Sequence, residues 1–271
     1  MKKLSIKFVS IILAVGVLLS CNNDDNYPSS SVVTRSGFES NSIANLPSQI
    51  APQNPCGYIG DIHNEFMDSI KTYAKDTSSI RQYALKFCKK RNDVFNRKVL
   101  NGADIDLYCK ESAKIGLFAE NRIKLDFVTD SLINQTSPTV KEELKTISYF
   151  LSEYDLKDKN KIKSFFKDFD ERITNSKALS TEDKVQILIC SAVANASSQY
   201  NCNRVLTKQA RQAIVKADFT GAIGGVLSFS LRGGFSTGMI FGPTGIAVGL
   251  VTSAGLGAII SSGLAASCYG L

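Results

Sequence analysis

The last fifth of the chain is the feature that most restricts its fold. Between residues 219 and 271 only Arg232 is charged in 53 positions, and 13 of the 19 glycines of the protein lie there. Residues 244–267 form an uncharged run of 24 residues. As an α-helix this run would be about 36 Å long, enough to cross a bilayer core of about 30 Å. The segment therefore needs an apolar environment, which is lipid, a second copy of the chain or the protein's own interior.

Small residues recur at every fourth position of this uncharged run. They are Gly245, Gly249, Ser253, Gly257, Ser261 and Ala265. A second, interrupted set precedes it and consists of Gly221, Gly225, Gly234, Gly238 and Gly242. Small side chains let two helix backbones approach closely, and a four-residue repeat suits a right-handed crossing. Because Gly242-Pro243 indicates a turn, we predict that residues 217–271 form an apolar, glycine-rich helical hairpin.

Two environments for this hairpin stay open. In the first, the hairpin associates with membranes or with another copy of the protein, giving a homo-oligomer. In the second, it packs inside the helical domain as structural core. Arg232 counts against full insertion of the first arm, because a lone arginine near the centre of a spanning helix costs about 2.5 to 3.5 kcal/mol.

The N-terminus has the pattern of a secretory signal. Lys2, Lys3 and Lys7 precede an apolar stretch at residues 8–19, which is shorter than a membrane-spanning helix requires. The stretch ends in Leu18-Leu19-Ser20-Cys21, which resembles the lipobox of bacterial lipoproteins. That resemblance implies removal of residues 1–20, a diacylglycerol thioether on Cys21 and an acyl group on its new amine. Two or more acyl chains anchor a protein stably in a membrane.

The residues after the lipobox indicate a targeting signal and a flexible tether. Asp24 and Asp25 resemble the acidic export signal of Bacteroidota lipoproteins, which implies the outer membrane and exposure at the cell surface. Residues 22–55 contain 6 Asn, 7 Ser and 4 Pro in 34 positions and few large apolar side chains. Such a composition buries too little surface to offset the entropy of ordering. We therefore predict a flexible tether over residues 21–57.

Residues 58–216 are predicted to form an all-α bundle of about six helices. Apolar side chains recur there at helical spacing, as in Ile162, Phe166 and Phe169. Ser137-Pro138 and the Ser180 to Asp183 stretch are typical of helix starts. No convincing strand pattern interrupts the series.

The middle of the chain offers little catalytic chemistry. The protein has one histidine, His63, so a site with several histidine ligands is excluded, and we predict no metal or cofactor. His63 and Glu65 are the best acid and base candidates. The favoured interpretation is a helix N-terminal turn, in which Asp61, Asn64 and Glu65 satisfy free amides and His63 packs locally. An enzyme that pairs His63 with a cysteine nucleophile remains the third hypothesis, and the pairing of the six cysteines other than Cys21 into disulfides stays open.

The charge of the chain argues only against a nucleic-acid partner. The net charge of +7 falls to +4 once the signal lysines are removed. The densest basic run, Lys86 to Lys98, is interrupted by Asp93 and is interpreted as a solvated helix face. We predict no nucleic-acid partner.

The C-terminal region also supports a resemblance. Residues 217–268 are similar to glycine-zipper tails of Bacteroidota lipoproteins and to apolar segments of small bacteriocins, and residues 60–65 resemble the start of the helical part in the same lipoprotein group. The resemblance implies a lipid-anchored envelope protein with a membrane-associating, bacteriocin-like tail. The alternative function is a non-lytic surface lipoprotein whose helical domain binds a partner.

Overall fold

The computed structural model describes residues 48–70, 82, 83, 86, 87, 121–231, 257, 258, 261 and 265. Its six helices are α1 (Tyr58–Ile70), α2 (Arg122–Ile133), α3 (Pro138–Glu153), α4 (Lys159–Asn175), α5 (Thr181–Cys202) and α6 (Lys208–Leu231). No strand occurs in the described part of the chain. The predicted all-α fold is confirmed; the predicted hairpin falls mostly outside these residues.

Local sequence signals set the starts of α3 and α5. Ser137 caps α3 by accepting a hydrogen bond from the backbone amide of Val140, and Pro138 follows at a position that needs no amide donor. Ser180 caps α5, since its hydroxyl accepts from the amide of Asp183 at 3.0 Å. The same hydroxyl donates to the Asp183 carboxylate at 2.9 Å. Both predicted helix starts are confirmed.

Helix α5 is the centre of the bundle. It packs against α1, α3, α4 and α6, and residues 187–198 are buried on every side of the helix. Helix α1 approaches it most closely at Gly60, where a Cβ atom would lie 2.6 Å from the carbonyl oxygen of Ala192. Glycine is needed at this position because any side chain would push the two helices apart.

Helix α6 continues through the boundary predicted between the bundle and the glycine-rich region. The helix runs from Lys208 to Leu231 without a break at residue 216. Residues 210–223 are all buried, and the helix packs against α2, α3 and α5. The first glycines of the C-terminal region, Gly221 and Gly225, therefore belong to a core helix of the bundle.

Residues 48–57, here called the strap, pack against the bundle, although they belong to the segment 21–57 that was predicted to be a flexible tether. Ala51 and Asn54 are buried. The Asn54 side-chain amide donates to the carbonyl of Leu188 in α5 at 3.0 Å, and its oxygen accepts from the amide of Cys56 at 2.8 Å. Ser48 in turn accepts from the amide of Ala51 at 2.9 Å. The short polar side chains thus satisfy backbone groups that burial would otherwise leave without partners.

Candidate functional site

The glycine stripe makes a close helix contact within the described residues. Gly221 of α6 and Gly257 of the C-terminal region lie backbone to backbone, so that a Cβ atom on either glycine would overlap the carbonyl oxygen of the other. The amide nitrogen of Gly225 also lies within 3.5 Å of the position that a Cβ on Gly257 would take. Three of the predicted stripe residues, two upstream and one downstream, are therefore brought together.

The next two stripe residues in the C-terminal region are also buried. The Ser261 hydroxyl donates to the carbonyl of Gly257 at 2.5 Å, and its side chain would block any Cβ on Gly221. Ala265 lies in an apolar cluster with Leu125 and Val128 of α2 and with Ala213, Ile214 and Ala217 of α6. Gly257, Ser261 and Ala265 thus face the protein, as expected for one face of a helix with a four-residue repeat.

The other stripe residues lie outside the described part of the chain. They are Gly234, Gly238, Gly242, Gly245, Gly249 and Ser253, and the same holds for Cys21 and Arg232. Of the basic run, Lys86 is described and is exposed.

His63 is buried in a polar cluster between α1, α5 and α6. Its Nε2 atom lies 3.4 Å from Oδ2 of Asp218, and both side chains are fully buried. The same carboxylate oxygen accepts a hydrogen bond from the Ser197 hydroxyl at 2.5 Å. The Nδ1 atom lies 3.1 Å from the side-chain oxygen of Asn64. Of the predicted local contacts of His63, only that with Asn64 is present; its other ring nitrogen faces Asp218 of α6, and the Asn64 amide donates to the carbonyl of Ala196 in α5, so His63 belongs to an inter-helix cluster and not to a local helix turn.

The order of this cluster differs from that of a nucleophilic triad. In a triad the imidazole lies between the nucleophile and the carboxylate, whereas here the Asp218 carboxylate lies between His63 and Ser197. The described cysteines, Cys56, Cys190 and Cys202, are buried free thiols. Burial raises the pKa of Cys56 to about 12, with a smaller contribution from Asp170. A thiol in that state is a poor nucleophile.

Helix α6 carries two buried cations, each with a carboxylate partner. Arg211 is fully buried and donates to Asp155 at 3.1 Å and to the carbonyls of Asn201 and Leu206 at 3.1 and 3.0 Å. Lys216 pairs with Asp126 and donates to the Ser152 hydroxyl at 2.9 Å. These contacts fix α6 against α2, α3 and the turn after α5.

Asp170 of α4 is a buried carboxyl group that was not among the predicted site residues. It accepts a hydrogen bond from the Ser191 hydroxyl at 2.5 Å. Burial raises the pKa of Asp170 from its usual 3.8 to about 7, against hydrogen bonding from Ser191, Asn54 and Gln53, which lowers it. Its position between Phe166 and Ile173 on the apolar face of α4 was a usable signal, because a carboxylate in such a stripe is seldom free of a partner.

None of the described helices is long and apolar enough to cross a membrane. In the same residues, no group of three or more His, Cys, Asp and Glu side chains could hold a metal ion.

Comparison of the chain with protein families, with curated proteins and with solved structures gives no match.

Proposed function

We propose that the chain is a lipid-anchored cell-envelope protein whose membrane attachment comes from acylated Cys21. The support is the sequence: a basic start, an apolar stretch of twelve residues and Leu18-Leu19-Ser20-Cys21 at its end. The acyl chains would hold the protein in the outer membrane, and the residues up to the strap would set the distance between membrane and domain.

This part is tested by the mass of the mature protein. The full chain is expressed in a bacterium that processes lipoproteins, and the detergent-extracted product is analysed by intact mass spectrometry. We expect a chain that begins at Cys21 and carries diacylglycerol and acyl groups. Cys21→Ser is the matched control and should lack the lipid. A mature chain with an unmodified Cys21 would contradict the anchor.

We further propose that the protein is non-lytic, with the C-terminal region as structural core of a helical domain that binds a partner. The observation that carries this choice is the contact between Gly221 and Gly257, together with the buried Ala258, Ser261 and Ala265. A small-residue face that is already covered by α2 and α6 does not need lipid or a second copy to satisfy it. The helical domain then offers its exposed surface for recognition.

The surface of α2 is the strongest feature for such recognition. Ile123 is 82% exposed and Phe127 is 52% exposed, and the two residues lie one helical turn apart. On α3, Tyr149 is 65% exposed. Exposed apolar and aromatic side chains of this kind are enriched where proteins bind other proteins.

A second function, membrane association with bacteriocin-like or self-associating activity, is favoured by one observation. Residues 244–267 contain no charge over 24 positions, which is sufficient length to span a bilayer. In that case the C-terminal region would have to leave α6 and expose Gly221, Gly225 and the apolar side chains around Ala265.

A vesicle experiment distinguishes the two functions. The Cys21→Ser chain without residues 1–20 is mixed with vesicles of anionic and zwitterionic lipids that contain a quenched dye. The non-lytic function predicts that the protein stays in the supernatant after sedimentation and releases no dye. Sedimentation with the vesicles and dye release that Gly257→Leu reduces would instead support the membrane-active function.

A further inference from the structure

The first half of α4 and the residues just before it are rich in lysine. Residues 157–167 contain five lysines and one acidic residue, Asp158, whose carboxylate caps α4 by accepting from the amides of Asn160 and Lys161 at 3.0 and 3.1 Å. The first turn of α4 itself contains no acidic side chain. Because the N-terminus of a helix carries a partial positive charge, lysines are unfavourable there. The start of α4 is therefore a strongly positive part of the surface.

Three of these lysines form a row along α4. Lys159, Lys163 and Lys167 recur every four residues, and all three are exposed. Residues at this spacing lie above one another on a helix, about 6 Å apart. The apolar stripe of α4, which includes Phe166 and Phe169, is buried, and the helix packs against α5. The lysine row lies beside that stripe, on the exposed part of the helix.

The charge of the lysine row is not compensated within the described part of the chain. Lys163 has a lysine four residues before it and another four residues after it, and like charges at this spacing destabilise a helix. No ion pair joins any lysine of the row to a carboxylate of the described residues. Further along the same helix, in contrast, Arg172 pairs with Glu143 at 2.5 Å. An anionic partner would therefore relieve a repulsion that the described residues leave in place.

We propose that the lysine row binds an acidic polysaccharide, with carboxylate or sulfate groups of the polymer lying along α4. A linear polymer that carries repeated negative charges is complementary to cations placed about 6 Å apart in a line. The exposed side chains next to the row include Asn160 and Ser164, whose amide and hydroxyl groups can hydrogen-bond to sugar hydroxyls. This site lies on a different helix from the exposed Ile123 and Phe127 of α2, and it depends neither on that surface nor on the lipid anchor.

Two other kinds of polyanion fit the surroundings of the row less well. Proteins that bind single-stranded nucleic acid stack bases on aromatic side chains. The aromatic residues of this segment, Phe165 and Phe166, instead pack against Phe150 of α3, with ring centroids 3.8 and 5.7 Å away. A helix that binds a membrane surface inserts an apolar face, whereas the apolar stripe of α4 is already buried in the bundle.

Binding of dextran sulfate tests the site. The Cys21→Ser chain without residues 1–20 is titrated into fluorescently labelled dextran sulfate and into neutral dextran of the same length, and fluorescence anisotropy is recorded. We expect binding of the sulfated polymer alone. Because lysine contacts to a polyanion release counterions, the affinity should fall about tenfold or more between about 50 and 200 mM salt. Absence of binding at the lower salt concentration, or equal binding of both polymers, would overturn the proposal.

Two variants with the same change in charge show whether the row itself binds the polymer. Gln is a good helix former, so the triple variant Lys159→Gln, Lys163→Gln and Lys167→Gln should fold, and its affinity for dextran sulfate should fall about tenfold or more. The control changes three other exposed lysines, as Lys124→Gln, Lys177→Gln and Lys208→Gln. Its affinity should fall less than about threefold, since salt screens exposed charges that do not touch the polymer. Equal losses in the two variants would show that only net charge attracts the polymer, which would contradict the site.

Competition and stability provide two further readouts. Single-stranded DNA and anionic vesicles, added at equal concentration of charge, should displace labelled dextran sulfate less effectively than unlabelled dextran sulfate does. More effective displacement by either one would overturn the choice of a polysaccharide. In urea, the row variant should unfold at the same or a higher midpoint than the unaltered chain, because it removes repulsion between like charges. A lower midpoint would contradict the uncompensated charge on which the proposal rests.

Discussion

Gly221 of α6 and Gly257 of the C-terminal region lie so close together that neither position has room for a Cβ atom. A four-residue repeat of small side chains occurs both in membrane-spanning helices and in helices of a protein core. The contact shows which helix packs against this repeat at Gly257. Helix α6, which supplies this partner, is itself buried, and Arg211, Lys216 and Asp218 connect it to Asp155, Asp126 and Ser197.

The glycine contact predicts a large loss of stability for a bulky replacement. Gly257→Leu should lower the free energy of unfolding by about 1 to 3 kcal/mol or more, because the added side chain overlaps the backbone of α6. Urea denaturation followed by circular dichroism measures the change. Ser164→Leu on the exposed face of α4 is the control and should stay within about 0.5 kcal/mol of the unaltered chain. Equal stability of the two variants would exclude a tight contact at Gly257.

Arg211 is predicted to be the most sensitive buried charge. Arg211→Ala should cost about 1 to 3 kcal/mol in urea unfolding, since it leaves the Leu206 carbonyl without its donor, removes one of the donors to the Asn201 carbonyl and leaves Asp155 without its cationic partner. The Asp155 side chain is 49% exposed. Asp155→Asn should therefore cost clearly less, and a loss as large as that of Arg211→Ala would argue against this division of roles.

The N-cap of α5 allows a finer prediction. Ser180→Ala should destabilise the protein by about 1 kcal/mol, because the amide of Asp183 loses its acceptor at the helix start. Ser180→Asp, which keeps an acceptor oxygen, should retain most of the stability. Thermal denaturation of both variants provides the comparison, and identical midpoints would show that the cap contributes nothing.

Asp170 predicts the pH dependence of global stability. Its folded-state pKa is raised, from 3.8 to about 7, so the protonated form is the one that the fold favours. The stability it allows is fully present below about pH 4 and is lost as the pH rises toward 7. The stability difference between Asp170→Asn and the unaltered chain should therefore shift in favour of the variant over that interval and stay constant above it. Urea unfolding at pH 4, 5.5, 7 and 8 measures this, and a pH-independent difference would contradict it.

Local signals made much of the bundle predictable from the sequence. Ser137-Pro138 and Ser180 act within one turn of their own helices, and the stripe of Ile162, Phe166 and Phe169 requires only helical spacing. These features do not depend on what the helix contacts, which is why they could be read before any fold was known.

The remaining features depend on tertiary partners. The repeat that contains Gly257 suits lipid, a second copy and the protein interior equally, so its spacing could not select Gly221 as the neighbour. The strap has the composition of a tether, and only the position of Leu188 gives Asn54 an acceptor. In the same way, the burial of Asp170 follows from the packing of α4 against α5 and the strap.

The central claim is that the C-terminal glycine region packs on α6 and α2. Methyl nuclear Overhauser effects in the Cys21→Ser chain without residues 1–20, recorded with lipid vesicles present, test it most directly. We predict cross-peaks from the Ala265 methyl group to Leu125 and Ile214, whose side chains share its apolar cluster. An Ala265 methyl group with cross-peaks to lipid acyl chains and none to these two residues would contradict the account.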